Sequence, residues 1–279
     1  NKINTKTKWF YTGEAYRKQN KNYNAPIINQ TGFEIFASND KIKDDKEIIQ
    51  TSIEIFKKSK FKKGELNISN IEIFNALIDR LSLALRWKER IKRHFCREAY
   101  FNQLLRKLSS DTDINFAEVE KDKKIAEKFR KQKPSTLYSG RALKDILERF
   151  DLKNFKEPRS IADKKSVKII KNYLKISCSI DNAPSTLNKF FKKNKLNLFI
   201  SDDYFPVVKT INRKIKINFS SNINRSLEYY SGMVFNITVN KKGKKFSLIS
   251  GGRYDGLLKN LGSKKNTTAV GAAIDMSLL

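Results

Sequence analysis

The chain has 279 residues, 39% hydrophobic and 11% aromatic, which is enough apolar material for a packed core and too much for a disordered segment. No run approaches the 18 apolar residues of a membrane-spanning helix. A single histidine, His94, and two cysteines, Cys96 and Cys178, leave too few soft ligands for a zinc site.

The formal net charge is +29, which invites a nucleic-acid reading. However, 44 lysines stand against 14 arginines, scattered and interleaved with acids. Bidentate recognition of phosphates and base edges favours arginine, so the lysines describe a weakly adhesive basic surface, and specific nucleic-acid binding is not expected.

In chain order, KWFYTGEAYR (8–17) and INQTGFEIFA (28–37) alternate apolar and polar residues around a polar loop, which predicts an antiparallel hairpin. DDKEIIQTSIEIFKKS (44–59) sets Ile48, Ile49, Ile53 and Phe56 at helical spacing behind Asp44 and Asp45, a helix with acids in its first turn. ELNISN (65–70) reads as a short strand. From 71 to 200 the periodicity is helical, punctuated by Pro134, Pro158 and Pro184. Strands return with KIKINFSS, LEYYSGMVFNITV and KFSLISGG, the last two joined by a turn centred on Gly243. GRYDGLLKNL starts a helix, and TTAVGAAIDMSLL reads as a strand entering another. The expectation is an α+β protein, an antiparallel sheet flanked by helices with a helical insert. Residues 1–70 and 201–279 form the two parts of its core, and 71–200 form the insert. The two cysteines are expected to be reduced, buried thiols of a cytoplasmic protein.

The chemistry concentrates at the strand ends. Tyr229 and Tyr230 precede MVFNITV, and Gly251-Gly252-Arg253-Tyr254 closes the neighbouring strand. Each feature alone fits ordinary packing or a strand-to-helix corner. Together, an arginine, tyrosines and a glycine pair at adjacent strand ends predict a small-ligand pocket.

RSLEYYSGMVFN followed by SGGRYDGLLKNLG resembles the two histidine-binding signatures of histidyl-tRNA synthetases and their paralogues. KWFYTGEAYRKQ…INQTGFEIFA resembles the motif 2 hairpin of such class II synthetases, and AVGAAIDMSLL is similar to a degenerate motif 3. These segments cover roughly a third of the chain. The resemblance implies a class II synthetase-like fold. It places Arg17 on the arginine that meets a nucleotide phosphate, and Gln30 and Glu34 on the side chains that hold the amino-acid ligand. Arg225 falls on the arginine for the ligand carboxylate or reacting phosphate. Tyr230 and Tyr254 fall on the pair lining the imidazole pocket, with Tyr229 and Gly252 beside them. No metal site or cofactor is implied.

The departures from the pattern matter equally. Motif 3 of the synthetases ends in Glu-Arg, the arginine clamping ATP, where this chain has Ser277 and Leu278. The motif 2 loop has Gln19 for an acid and Asn22-Tyr23-Asn24-Ala25 where its arginine is expected, and Ser226 and Glu228 replace Gly and Asp. Adenylation needs preorganised positive charge on the phosphates. The chain is therefore similar to the non-catalytic branch of the family, the regulatory subunits of short-form ATP phosphoribosyltransferase. That branch includes an Arg-rich helical stretch like Lys88, Arg90, Lys92 and Arg93 here, residues that read first as a solvated helix face and only secondarily as a surface for docking the partner. The resemblance implies a catalytic phosphoribosyltransferase partner, self-association as a dimer, a histidine ligand and a role in feedback inhibition of histidine biosynthesis. It also implies a chain truncated at both ends. The alternatives are a fragment of a histidyl-tRNA synthetase and an RNA-binding synthetase paralogue.

Overall fold

In the computed structural model, the described residues are 5–16, 27–109, 116–133, 137–138, 141–154, 161–201, 204–205, 215–223, 229–241 and 243–279. The chain divides into two compact units, Asn1–Arg80 with Lys171–Leu279, and Leu81–Ile170. The second unit is narrower than the helical stretch 71–200, because the flanking helices pack with the sheet.

The first unit is built on an eight-stranded sheet. Its strands are β1 (Thr7–Tyr16), β2 (Ile27–Phe36), β3 (Gly64–Asn70), β6 (Ser177–Ser179), β7 (Lys216–Ser220), β8 (Met233–Lys241), β9 (Lys244–Arg253) and β10 (Ala269–Asp275), in the spatial order β1-β2-β10-β9-β8-β3-β7-β6. Every pairing is antiparallel except β3 with β7, so the sheet is mixed, with a strongly antiparallel centre. Alternation fixes which side chains share a face. One face carries Ile35, Val270, Phe235, Ile237 and Ile249, all at most 5% exposed. The other carries Glu34, Gly271 and Gly252 in a single cross-strand row.

The apolar face is covered by α1 (Lys41–Lys58), which contacts β2, β8, β9 and β10. The Asp40 side chain caps this helix by accepting from the Lys43 amide at 3.0 Å, Asp44 sits in its first turn, and Lys57 and Lys58 in its last. Ile48, Ile49, Ile53 and Phe56 form the buried stripe that their spacing predicts, at no more than 5% exposure. Each such side chain is worth about 1.5–3 kcal/mol of burial. Phe56 lies so close to β3 that a Cβ on Gly64 would stand 2.7 Å from its ring.

The helices α2 (Ile71–Arg80) and α8 (Ala183–Lys193) belong to the same unit. Between them Tyr173 is fully buried, its ring 6.1 Å from both Phe74 and Phe190. Its carbonyl accepts from the Ser221 hydroxyl at 2.6 Å, but its own hydroxyl has no hydrogen-bond partner among the described residues. A buried hydroxyl without a partner costs on the order of 1–3 kcal/mol. Tyr173→Phe is therefore expected to raise stability by about 1 kcal/mol, visible as a higher urea midpoint with unchanged m-value.

The second unit contains α3 (Leu85–Arg93), α4 (Glu98–Ser109), α5 (Phe116–Arg130), a two-residue ladder of β4 (Leu137–Tyr138) with β5 (Arg141–Ala142), α6 (Leu143–Asn154) and most of α7 (Ile161–Tyr173). Trp87, Ile91, Phe101, Leu104, Leu105 and Leu108 are its buried apolar residues on α3 and α4. The Arg-rich helix is only partly a solvated face. The Arg90 guanidinium donates to the Tyr100 hydroxyl at 2.6 Å and lies 5.6 Å from the Trp87 ring centre, while Arg93 is exposed. Cys96 and Cys178 are half-buried, more accessible than the buried thiols expected, and the Cys96 thiol donates to the Arg93 carbonyl at 3.9 Å.

Beyond the sheet, the helix expected after Gly256 is a single turn, Leu257–Asn260, and β10 runs into a turn through Leu278.

Candidate functional site

The site forms on the polar face of the first unit, where β2, β10 and β9 lie side by side. Glu34, Gly271 and Gly252 are direct cross-strand partners and so point the same way. The two glycines create the depression. A Cβ on Gly271 would collide with the Glu34 carboxylate, and a Cβ on Gly252 would lie 2.8 Å from the Tyr230 ring. Glycine is required here because the Glu34 carboxylate of the neighbouring strand and the Tyr230 ring of the loop before β8 lie against the backbone.

Around this floor stands a chain of aromatic rings. Trp9 packs edge-on against Phe36 at 5.5 Å, as do Phe36 against Tyr254 at 6.4 Å and Tyr254 against Tyr229 at 5.7 Å, and Tyr229 lies tilted against Tyr230 at 4.9 Å. Such edge contacts favour ring packing beyond the area buried. Phe36, Tyr254 and Ala269 form a small apolar core, with Tyr230, Leu257 and Leu258 packed on it. On β1, Tyr11 lies over Gly32 and its hydroxyl accepts from Gln30 Nε2 at 2.6 Å. The Tyr254 hydroxyl donates to Glu34 Oε2. Glu34, Gln30, Tyr229, Tyr230, Gly252 and Tyr254 are thus brought together.

Two expected members, Arg17 and Arg225, lie outside the described residues, as do Gln19, Ser226 and Glu228. Sequence reasoning missed Trp9, Tyr11, Phe36 and Gly271. Their signal was present: Tyr11 is opposite Gly32, and Gly271 is opposite Gly252, but only the sheet register discloses those pairings.

Two expectations are corrected. Tyr229 and Tyr230 do not open a strand, because β8 begins at Met233. Their positions follow from the loop, where the Ser231 amide donates to the Arg253 carbonyl at 2.8 Å and the Ser231 hydroxyl accepts from the Asp255 amide at 3.1 Å. Strand parity therefore does not assign their faces. Arg253 is not in the pocket either. It pairs with Val270 on the opposite face of the sheet, is 3% exposed, and donates to Asp45 of α1, to Asp255 and to the Lys41 carbonyl. It anchors the corner from behind.

Burial raises the Glu34 carboxyl to about 7, against the opposing pull of the Tyr254 hydrogen bond. Burial likewise pushes the Tyr230 and Tyr254 hydroxyls far up, with Tyr229 adding to the first and Glu34 to the second. At neutral pH the tyrosines are neutral donors and Glu34 titrates. None of the described side chains lining the cradle is cationic. Such a set suits a ligand that offers N–H donors to a carboxylate and a flat ring to aromatic walls.

The pH dependence has two opposite parts. The folded-state value of Glu34 lies above its unfolded one, so its contribution to stability is fully present below about 4.5 and is lost as pH rises through about 7. Affinity for an N–H-donating ligand should move the other way, falling up to about tenfold per unit below about 7 as the carboxylate is protonated. Calorimetric titration between pH 5 and pH 8 checks the sign (on the order of these reference values).

Among the described residues no group of His, Cys, Asp and Glu could hold a metal ion, and no helix is long and apolar enough to cross a membrane.

The model of the histidyl-tRNA synthetase family matches residues 1–151 and 134–279. The chain belongs to the histidyl-tRNA synthetase family. Within the family, it is 45% identical over 65 residues to the histidine–tRNA ligase of Francisella tularensis subsp. novicida, covering 23% of this chain and 15% of that protein. It is 24% identical over 288 aligned positions to a protein named ATP phosphoribosyltransferase regulatory subunit from Rhizobium rhizogenes, covering 97% of this chain and 76% of that one. A crystal structure described as an ATP phosphoribosyltransferase regulatory subunit/histidyl-tRNA synthetase from Bacillus halodurans superposes with a TM-score of 0.54 at 16% identity, over 97% of this chain and 57% of that one. The last likeness shows the fold, a class II synthetase-like sheet flanked by helices. The chain spans about a seventh of the ligase it matches locally, and little more than half of the superposed structure.

Proposed function

We propose that this chain is a non-catalytic regulatory subunit of ATP phosphoribosyltransferase, acting in the cytoplasm in a hetero-oligomer with the short catalytic subunit. In this reading it supports the first step of histidine biosynthesis and transmits feedback inhibition by histidine, bound in the cradle of Glu34, Gln30, Tyr229, Tyr230 and Tyr254. The observation that carries the reading is the similarity along 97% of the chain to a relative bearing that name. It is supported by the end of β10, where Ser277 and Leu278 stand in a turn held by Asp275, with the Ser277 amide donating to Asp275 Oδ1 at 3.0 Å. A leucine at the place of the ATP-clamping arginine supplies no charge to a triphosphate. Histidine would regulate only through different affinities for the active and inhibited assemblies.

The test is reconstitution with a short catalytic subunit. Co-purification and a histidine-sensitive gain of phosphoribosyltransferase activity are expected, with no ATP–pyrophosphate exchange by this chain alone. The local 45% identity to a ligase favours a second reading, a synthetase fragment. Histidine-dependent exchange without any effect on the transferase would establish that reading and overturn the first.

A further inference from the structure

A row of uncharged polar side chains leads across the sheet into the floor of the cradle. Asn218 of β7, Asn67 of β3, Asn236 of β8 and Ser250 of β9 are successive cross-strand partners. The row continues through Ala273 of β10 and Gly32 of β2. Ser250 stands two residues before Gly252 on the same strand, so the row shares the face of Glu34 and Gly271. Asn218, Asn67, Asn236 and Ser250 are all half-buried.

The hydrogen bonds along the row have a direction, and a backbone group sets it. The Thr238 hydroxyl donates to the Glu65 carbonyl at 3.4 Å, which leaves its oxygen to accept from Asn67 Nδ2 at 3.4 Å. The same nitrogen donates to Asn236 Oδ1 at 3.1 Å, and Asn67 Oδ1 accepts from Asn218 Nδ2 at 3.4 Å. A carbonyl cannot donate, so the relay cannot reverse. Its last member, Asn236, has its oxygen held toward β3, and its Nδ2 has no partner among the described residues. Beside it the Ser250 hydroxyl shares a hydrogen bond of 2.8 Å with Ser247. A carboxamide held in one orientation with its N–H groups left over is a preorganised donor.

The other end of the cradle is of the complementary kind, because Glu34 holds acceptor oxygens over Gly271. From Gly271 to Ser250 is one strand across and two residues along, about 8 Å at ordinary sheet spacings, which a ligand of amino-acid size bridges. We propose that Asn236, oriented by Asn67, donates to the carboxylate of the ligand whose N–H groups meet Glu34. This assignment rests on histidine as the ligand of the cradle, and it concerns the end of that ligand which Glu34 does not hold. A carboxylate has lone pairs for several donors, so Asn236 is additional to the arginine that the resemblance places there.

Calorimetric titration of the full chain with histidine and with histidinol, in which a hydroxymethyl group replaces the carboxylate, tests it. N236D keeps the shape and the bond from Asn67 but replaces the donor with a negative charge. It should weaken histidine at least about tenfold and change histidinol by less than about threefold, because only histidine is repelled. N67D alters the relay one strand further from the ligand. Its carboxylate accepts from Asn236, which turns its own oxygen toward β9, and histidine should again suffer more than histidinol. Thermal unfolding checks that both variants are folded. Equal losses for the two ligands would mean a merely structural row and overturn the proposal, as would histidine affinity that neither variant changes. Binding of neither ligand by the wild type would overturn the cradle itself. Loss of histidine with E34Q but not with N236D would leave the cradle standing and strike Asn236 from it.

Discussion

Glu34→Gln is expected to weaken binding of the proposed ligand, histidine, by about 100-fold while making the protein more stable at pH 8. The two effects share one cause. The Glu34 carboxyl is raised to about 7 by burial, so above that pH the fold holds a carboxylate that would be better solvated outside. Glutamine removes this burden and still accepts the Tyr254 hydroxyl through its carbonyl oxygen. It also removes the negative charge that Glu34 presents to the cradle, and a hydrogen bond to a charged group is worth roughly 1.5–3 kcal/mol, the upper end matching a 100-fold loss. Calorimetric titration with histidine reads the first effect and thermal unfolding the second. Unchanged affinity would remove Glu34 from the site, and loss of stability would mean the carboxylate is better compensated than its burial indicates.

Arg253→Ala is expected to destabilise the first unit by about 3–5 kcal/mol, a fall in Tm on the order of 10 °C. Its guanidinium is 4% exposed and lies between the carboxylates of Asp45 and Asp255, themselves 16% and 14% exposed. Asp255 also accepts from Lys41 and from the Ala269 amide. Removing the arginine leaves buried acids whose attraction no longer offsets their desolvation. The Asp45 carboxyl is raised to about 6 by burial even with Arg253 present, so in the variant it should protonate readily, and the deficit should shrink as pH falls through about 6. Adding Asp45→Asn should recover about half of the loss, and Arg253→Lys should fall between, because an ammonium cannot span both acids as the planar fork does. Stability unaffected by Arg253→Ala would show that the knot is not what fixes the corner beneath Tyr254.

How much of this was legible in the sequence depends on the distance over which the signal acts. The stripe of Ile48, Ile49, Ile53 and Phe56 is a local period that the burial of α1 follows, and the alternation of β1 and β2 gave the two strands, although β1 is exposed along nearly all its length. Gln30, Glu34 and Tyr254 were found through resemblance, and their convergence needed the register of strands far apart in sequence. Arg253 was misplaced for a related reason. Its motif sits at a strand end, and residue type alone does not say which face the side chain takes. The pairing with Val270 does, one residue out of phase with Gly252. Tyr229 and Tyr230 were assigned to a strand within LEYYSGMVFNITV, yet hydrogen bonds made at Ser231 to Arg253 and Asp255 hold them in a loop. Local propensity lost to tertiary bonding there. The Gly271 floor was hidden because a glycine in AVGAAID has no meaning until Glu34 is known to lie beside it.

The placement of β10 between β2 and β9 has a consequence for how the protein is made. The strand bearing Glu34 emerges from the ribosome more than two hundred residues before the backbone on which its carboxylate rests. During translation β2 waits beside its hairpin partner with its other edge open, while Leu81–Ile170, one continuous segment, forms a compact unit of its own. A nascent chain that stops before Ala269 therefore has no cradle to offer, and the site can form only once β10 has been made.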